Sequence, residues 1–340
     1  MKKLKVIFIG VIMLAFVSGA AFSQTDLFNI NALQRAIGDF ADDVALSLPF
    51  NSTMGLNWSD AHIGKFFPSL PPHFGVGITT GFTTFGNGSF DGVLNSIGAG
   101  GVIPSELTNL GMPMLGYTVD ARIGGFFLPF DVGVKFGIIP PLKLDGYAID
   151  YLLVGADIRY AVVDSKLSPI KVSVGIGYNH LKGGIAVPLG KGLSFEEPTT
   201  GYKLSLGDPK LGFLWGTDTI ELKGQVSFKL PFITPYAGAG LSMAFSHAGY
   251  KFNTNIKVYD DQDTEVASGI PNEVISALNN MGITGVTSNG FESIKKEDSF
   301  NMRLFGGISL NLTVVRFDLN VLYNLTGGQV GVTFGARVQI

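Results

Sequence analysis

Apolar and polar residues alternate with a period of two through most of the chain beyond residue 73. Phe74, Val76, Ile78 and Phe82 share one face, with Gly75, Gly77, Thr79, Gly81 and Thr83 on the other. Tyr117, Val119, Ala121 and Ile123 alternate with Thr118, Asp120 and Arg122, and Val132, Val134, Phe136 and Ile138 with Asp131, Gly133, Lys135 and Gly137. The same pattern recurs over 152–160, 171–179, 220–229, 237–246, 300–314, 317–325 and 329–340. Such spacing gives each strand one apolar and one polar face. The segments run to about 9–15 residues, beyond the ~5–6 usual in soluble sheets and near the ~9–11 that cross a bilayer with tilt. Their polar face is rich in glycine and in charges of both signs, which suits a narrow closed interior. The pattern predicts an all-β, antiparallel up-and-down transmembrane barrel over residues 73–340.

Short and long connections alternate along these segments, as barrels with tight periplasmic turns and longer outside loops require. The turns fall near Leu128-Pro129-Phe130, Asp164–Pro169, Leu230-Pro231-Phe232 and Val315-Arg316. The longest loops cover 182–217 and 259–298, and 139–147 is a short one. Ten strands follow, or twelve if Gly201–Trp215 forms an extra membrane-crossing hairpin with 183–196. Both barrel ends then face the periplasm. The last strand finishes at Ile340, where aromatic-rich terminal strands of this class carry an assembly signal.

Ahead of the barrel, Leu33, Ala36, Ile37, Phe40, Ala41, Val44, Ala45 and Leu48 recur at helical spacing, with Asn31 as N-cap and Pro49 as the stop. Residues 24–72 thus form an amphipathic N-terminal helix and an irregular stretch, serving as a periplasmic or plug segment. An apolar stripe matches a polar lumen poorly, so the helix is expected on the periplasmic rim or membrane interface. Residues 1–23 read as a signal peptide. Lys2, Lys3 and Lys5 precede an apolar run from Val6 to Val17, and Ala21 and Ser23 place cleavage before Gln24.

Composition narrows the function classes. Of 340 residues 46% are hydrophobic and 15% charged, against ~25% charged in ordinary domains, which excludes a disordered chain. The formal charge of −3, or −6 once the three leader lysines are removed, argues against a nucleic-acid partner. The absence of cysteine excludes disulfides, thiol chemistry and lipid attachment at a cysteine. No apolar run of 18 residues follows Gln24, so no transmembrane helix is expected there.

Candidate chemistry is sparse. His62, His73, His180 and His247 lack a serine- or aspartate-centred motif, so no catalytic residue is assigned. Asp260-Asp261-Gln262-Asp263-Thr264-Glu265 resembles part of a calcium loop. Val266 stands where the required glycine would be and Asn272 at position twelve, so the run reads as a solvated loop without a metal. Residues 271–282 read as a short loop helix. The alternation aims thirteen charges into the lumen: Asp120, Arg122, Asp131, Lys135, Asp157, Arg159, Lys171, Glu221, Lys223, Lys229, Arg303, Asp318 and Arg337. They either pair and close the barrel or line a path for small anions and polar solutes.

The stretch Pro129–Gly137, through Leu153–Ala161 to Val172–Asn179, resembles an uncharacterised family of bacterial outer-membrane β-barrels that carries no assigned activity. Ala41-Asp42-Asp43 before the barrel gives a weaker likeness to the long-chain fatty-acid transporter family, whose Asn-Pro-Ala hatch motif is missing. The reading is of a porin-like, non-enzymatic protein of the bacterial outer membrane, without a cofactor. It passes or binds small solutes. The alternatives are a hydrophobic-ligand transporter, and a surface adhesin or structural protein acting through its two long loops. Its expected partners are outer-membrane lipid, the barrel-assembly machinery and a small solute or hydrophobic ligand.

Overall fold

The computed structural model describes residues 30–85, 89–96, 112–144, 147–164, 168–188, 193–196, 202–260 and 289–340, with isolated positions from 262 to 287. The leader at 1–23 lies outside them, as does most of the loop helix read over 271–282. The described elements are helix α1 (Ile30–Asn51), strand β1 (Phe74–Phe85), helix α2 (Ser89–Ser96), and strands β2 (Met112–Gly124), β3 (Phe130–Leu144), β4 (Tyr147–Val163) and β5 (Ile170–Pro188). There follow β6 (Leu193–Glu196), β7 (Lys203–Phe228), β8 (Ile233–Tyr259), β9 (Gly290–Leu312), β10 (Val315–Asn324) and β11 (Val330–Gln339). No described helix is long and apolar enough to cross a membrane.

All strand pairs are antiparallel, and ten strands close into a barrel. β1 pairs with β11 from Gly75↔Gln339 to Thr83↔Gly331, and β5 pairs with β7 from Ile170↔Phe228 upward. The short β6 hangs on β7 outside this ring. One end carries the start of β1, the end of β11, the end of β4, the start of β5 and the turns at 125–129, 229–232 and 313–314; we call it the turn end. The other, the loop end, carries the connections from β1 to β2, β3 to β4, β5 to β7, β8 to β9 and β10 to β11.

The strands run on into the expected outside loops. β5 and β7 stay in register to Pro188↔Lys210, and β8 and β9 to Asn253↔Gly290. Lys203–Trp215 is therefore the upper part of β7 rather than half of an extra hairpin, which settles the count at ten. The turn placed at Val315-Arg316 lies two residues earlier, at Thr313 and Val314, and Arg316 belongs to β10.

The two faces of the wall differ as alternation requires. Val119 is 44% exposed, whereas its neighbours Asp120 and Arg122 are 0% and 1%. Val76, Ile78, Val134, Ile158, Ile176, Leu222, Met243 and Phe334 continue the exposed apolar belt around the outside. A belt of this kind is stable facing hydrocarbon, and closure pairs the backbone edges of the wall except toward the loop end of β2 and β3, whose pairing stops at Val119↔Phe136.

The N-terminal segment lies inside the barrel rather than on its rim. Phe40 packs on Phe85 and Phe213 at ring distances of 5.7 and 5.1 Å, near the loop end. Ile37, Ala41, Val44, Ala45 and Leu48 are buried with it. The helix meets an apolar upper lumen built by Met114, Tyr151, Leu153, Leu181, Trp215, Ala248 and Tyr250, so its stripe has a matching wall. Pro49 does not stop the helix, which runs on to Asn51; its ring removes the N–H that would bond the Ala45 carbonyl in the last turn. Ser52 and Thr53 hydroxyls then donate to the carbonyls of Pro49 and Phe50, each at 2.7 Å, and end the helix. Residues 52–63 run buried to the turn end, where Phe66 packs on Phe126.

The chain thus threads the lumen from the loop end to the turn end before β1 turns back up. In the cysteine-free background, Asp39→Cys in intact cells is expected to react with a membrane-impermeant maleimide, and Leu70→Cys only after the membrane is opened. The reverse labelling pattern would contradict the threading.

Candidate functional site: a plugged lumen

The lumen divides into two halves along each strand. On β4 the inward residues change from Tyr151 and Leu153 to Asp157 and Arg159; on β7 they change from Trp215 to Glu221, Lys223 and Gln225. The half nearer the turn end holds most of the charge, and the plug descends into it.

Three clusters meet the plug. In the first, Arg122 donates to Asp131 at 2.5 Å and to Asp157 at 2.9 Å, and Arg159 donates to both oxygens of Asp131 at 2.8 and 2.9 Å. Lys223 pairs with Asp157 at 2.5 Å. Arg159 also donates to the Asp60 carbonyl at 2.9 Å, and Asp131 accepts the Ile63 N–H at 3.2 Å. In the second, Glu221 holds Arg303 at 2.5 and 3.1 Å, while Arg303 reaches the Asn57 side chain at 3.2 Å. In the third, the buried Asp60 carboxylate of the plug accepts from Arg316, from Arg337 at 3.1 Å and from Gln339 at 3.2 Å. Arg337 bridges onward to Asp318 and to the Ser59 hydroxyl at 2.8 Å.

Two further contacts fix the plug's path. Lys135 donates to the Ser52 and Met54 carbonyls at 2.7 and 2.6 Å, and Asp120 accepts the Leu56 N–H at 3.2 Å. Gly55 between them has φ +80°, and a Cβ there would come within 2.5 Å of the Thr118 hydroxyl, so the turn needs glycine. The Trp58 ring lies under the Arg337 guanidinium at 4.8 Å and near Arg122 at 5.8 Å, within cation–π range. The polar void left beside Gly55, Asn57, Lys135, Asp157, Glu221, Lys223 and Arg303 has a volume of about 10 Å³, room for roughly one water.

Eleven of the thirteen charges read from the sequence face this lumen: Asp120, Arg122, Asp131, Lys135, Asp157, Arg159, Glu221, Lys223, Arg303, Asp318 and Arg337. Lys171 and Lys229 sit at the turn-end rim, where Lys171 pairs with Asp164 at 2.5 Å. Asp60 and Arg316 were missed. The thirteen contain eight basic and five acidic groups, an imbalance that calls for further buried acids, and Asp60 is one. Asp164 is another partner. His62 Nδ1 of the plug lies 3.2 Å from its carboxylate, at ion-pair distance but without hydrogen-bond alignment. His62 and the Lys171 ammonium hold the Asp164 carboxyl well below the usual carboxylate range.

The other histidines lie apart from the lumen. His73 Nδ1 is 3.2 Å from the carbonyl of Ile340 at the turn end. His180 and His247 face outward near the loop end. His180 lies 2.8 Å from Asp218, a partner that 38 residues of sequence separation conceals and the β5–β7 register supplies. In the calcium-like loop, Asp260 accepts the Gln262 and Thr264 N–H groups at 2.9 and 2.8 Å, and Glu265 pairs with Lys257. Among the described residues no three acidic or histidine side chains group as a metal site.

These features define a transmembrane β-barrel whose lumen is filled by its own N-terminal segment. Residues 83–340 match the Family of unknown function (DUF6588), and the chain belongs to that family. No curated protein matches it. Among solved structures, a major outer membrane protein from Thermus thermophilus aligns at 12% identity and a TM-score of 0.27, covering 79% of this chain and 99% of that one. LpxR from Salmonella typhimurium aligns at 8% and 0.28, covering 78% and 99%. A Pseudomonas aeruginosa FadL homologue aligns at 8% and 0.23, covering 78% and 89%. Likeness at this level transfers no function.

Removing one partner of a buried pair strands the other charge, which costs about 3–5 kcal/mol. Asp60→Ala, which strands Arg316 and leaves Arg337 with Asp318, is expected to lower the unfolding free energy of the reconstituted barrel by about that amount in a urea titration. Lys257→Ala, at an exposed pair, is expected to leave the midpoint of that titration unchanged.

Proposed function

We propose that this protein is an outer-membrane barrel that admits small apolar molecules through its wall near the loop end, and is not a water-filled pore for polar solutes. The plug and its paired charges support the second half of this reading. They occupy the polar lower lumen where an aqueous path would run, so the inward charges serve to close the barrel.

One observation carries the first half. β2 and β3 pair only from Gly124↔Asp131 to Val119↔Phe136, although both strands continue toward the loop end, to Met112 and Leu144. Above that point β2 remains paired with β1 as far as Met112↔Phe85, and β3 with β4 as far as Leu144↔Tyr147. The facing edges therefore part. The sequence explains why: Pro113 on one side and Pro140-Pro141 on the other have no N–H to donate, and β3 shifts register between Ile139 and Leu142. The Tyr117 hydroxyl bonds the Ile138 carbonyl and pins the foot of the seam. Inside it lie Met114, Tyr151 and Leu153 of the apolar upper lumen, packed around α1. An unpaired seam opening on an apolar chamber, sealed below by paired charges, suits a molecule that leaves sideways into lipid.

The seam can be bridged because the chain has no native cysteine. A Leu115→Cys, Ile138→Cys pair joined by a short cleavable thiol reagent is expected to reduce uptake of a fluorescent hydrocarbon probe into proteoliposomes to that of protein-free vesicles, with recovery on cleavage. Uptake unchanged by the bridge would overturn the lateral route.

A further inference from the structure

We infer that the outer wall of β2–β5, together with the rim above β5–β9, is a binding site for a phosphate-bearing lipid of the leaflet at the loop end. The observation is an apolar depression joined to a cationic row, and it stands independently of the transport reading.

The depression lies on the lipid-facing side of the barrel and has a volume of about 670 Å³, within the ~300–1,000 Å³ range of small-ligand sites. Ala121 and Ala156 form its floor, where small side chains leave the wall concave. Val119, Phe136, Val154 and Tyr178 rise around it. An acyl chain fits this lining, and water gains nothing from it.

Tyr178 links the depression to the polar rim. Its hydroxyl donates to Asp218, which also pairs with His180 at 2.8 Å. Asp218 is thereby engaged by two neighbours. Above it, register places Lys182, Gly216, His247 and Lys296 side by side across β5, β7, β8 and β9, all on the outward face. Because Gly216 has no side chain, the His247 ring lies over it, 2.5 Å from where a Cβ would stand. Lys182 and Lys296 are exposed, and neither has an ion-pair partner among the described residues. Higher up, Lys251 is matched by Glu292 at 3.4 Å, so that pair adds little net charge.

Directly below the row, register places His180, Asp218, Phe245 and the exposed Asp298, and one step further down Tyr178, Ile220, Met243 and Phe300 are exposed members of the apolar belt. The cations therefore sit where the belt ends, at headgroup level. A lipid with one chain in the depression would bring its phosphate to Lys182 and His247, with Lys296 a strand beyond. A basic side chain near a membrane surface attracts an anionic headgroup, and reversing two lysines gives an effect of at least about tenfold.

The test uses the full-length barrel, delipidated in detergent and read by native mass spectrometry. Phosphatidic acid, diacylglycerol with the same chains, and inorganic phosphate are the three probes. The wild type is expected to retain phosphatidic acid at least about tenfold better than either of the others. Lys182→Glu with Lys296→Glu is expected to remove that preference while the barrel keeps its folded gel mobility. Ala156→Trp, which fills the depression, is expected to weaken both lipids. If the double reversal does not fold, Lys182→Gln tests the same charge. Equal retention by wild type and charge variants would overturn the site. So would inorganic phosphate held as well as phosphatidic acid, or phosphatidic acid unaffected by Ala156→Trp.

Discussion

A charge inside a narrow closed barrel has to find its counter-charge there, because little water reaches it. That constraint organises this molecule. Taking an ion out of water costs several kcal/mol even after relaxation, and a buried pair offsets this only when its geometry is good and its remaining donors are used. The wall supplies more basic than acidic groups. The plug supplies Asp60 to Arg316 and Arg337, together with the carbonyls of Ser52, Met54 and Asp60 to Lys135 and Arg159. The wall and the plug are thus each incomplete alone. The same residues that make the lumen polar make it the one place where this stretch of chain can be held.

The upper lumen follows a different rule. There the inward face is apolar and α1 is bound by packing rather than by charge, with Phe40 between Phe85 and Phe213 and Leu48 fully buried. The plug changes character at the same height as the wall, from amphipathic helix to extended polar segment. Pro49, Ser52 and Gly55 mark the change. Where β2 and β3 part, the barrel gives up backbone pairing next to this apolar region, and the prolines responsible are local to the two strands.

Much of the wall was legible because period-two alternation survives wherever one side meets lipid and the other meets charge. It marked the ten strands and placed eleven of the thirteen charges on the inner face. Three features escaped for physical reasons. The alternation fades where both faces are apolar, as in Tyr151-Leu152-Leu153-Val154 and Phe213-Leu214-Trp215, and those runs form the upper lumen that receives the helix. Treating the whole lumen as polar sent the helix to the rim. Asp60 lies in an aperiodic stretch, so its partners follow only from closure of the barrel around it. The His180–Asp218 pair depends on the β5–β7 register, which neither residue's neighbours reveal.

The central claim is that the chain seals its own barrel. Single-channel recording of the purified full-length protein in planar bilayers tests it most directly. The account predicts no steady ohmic current at either polarity, since the polar half of the lumen is filled by residues 52–63. A stable conductance of the size expected for an open ten-stranded pore would contradict it.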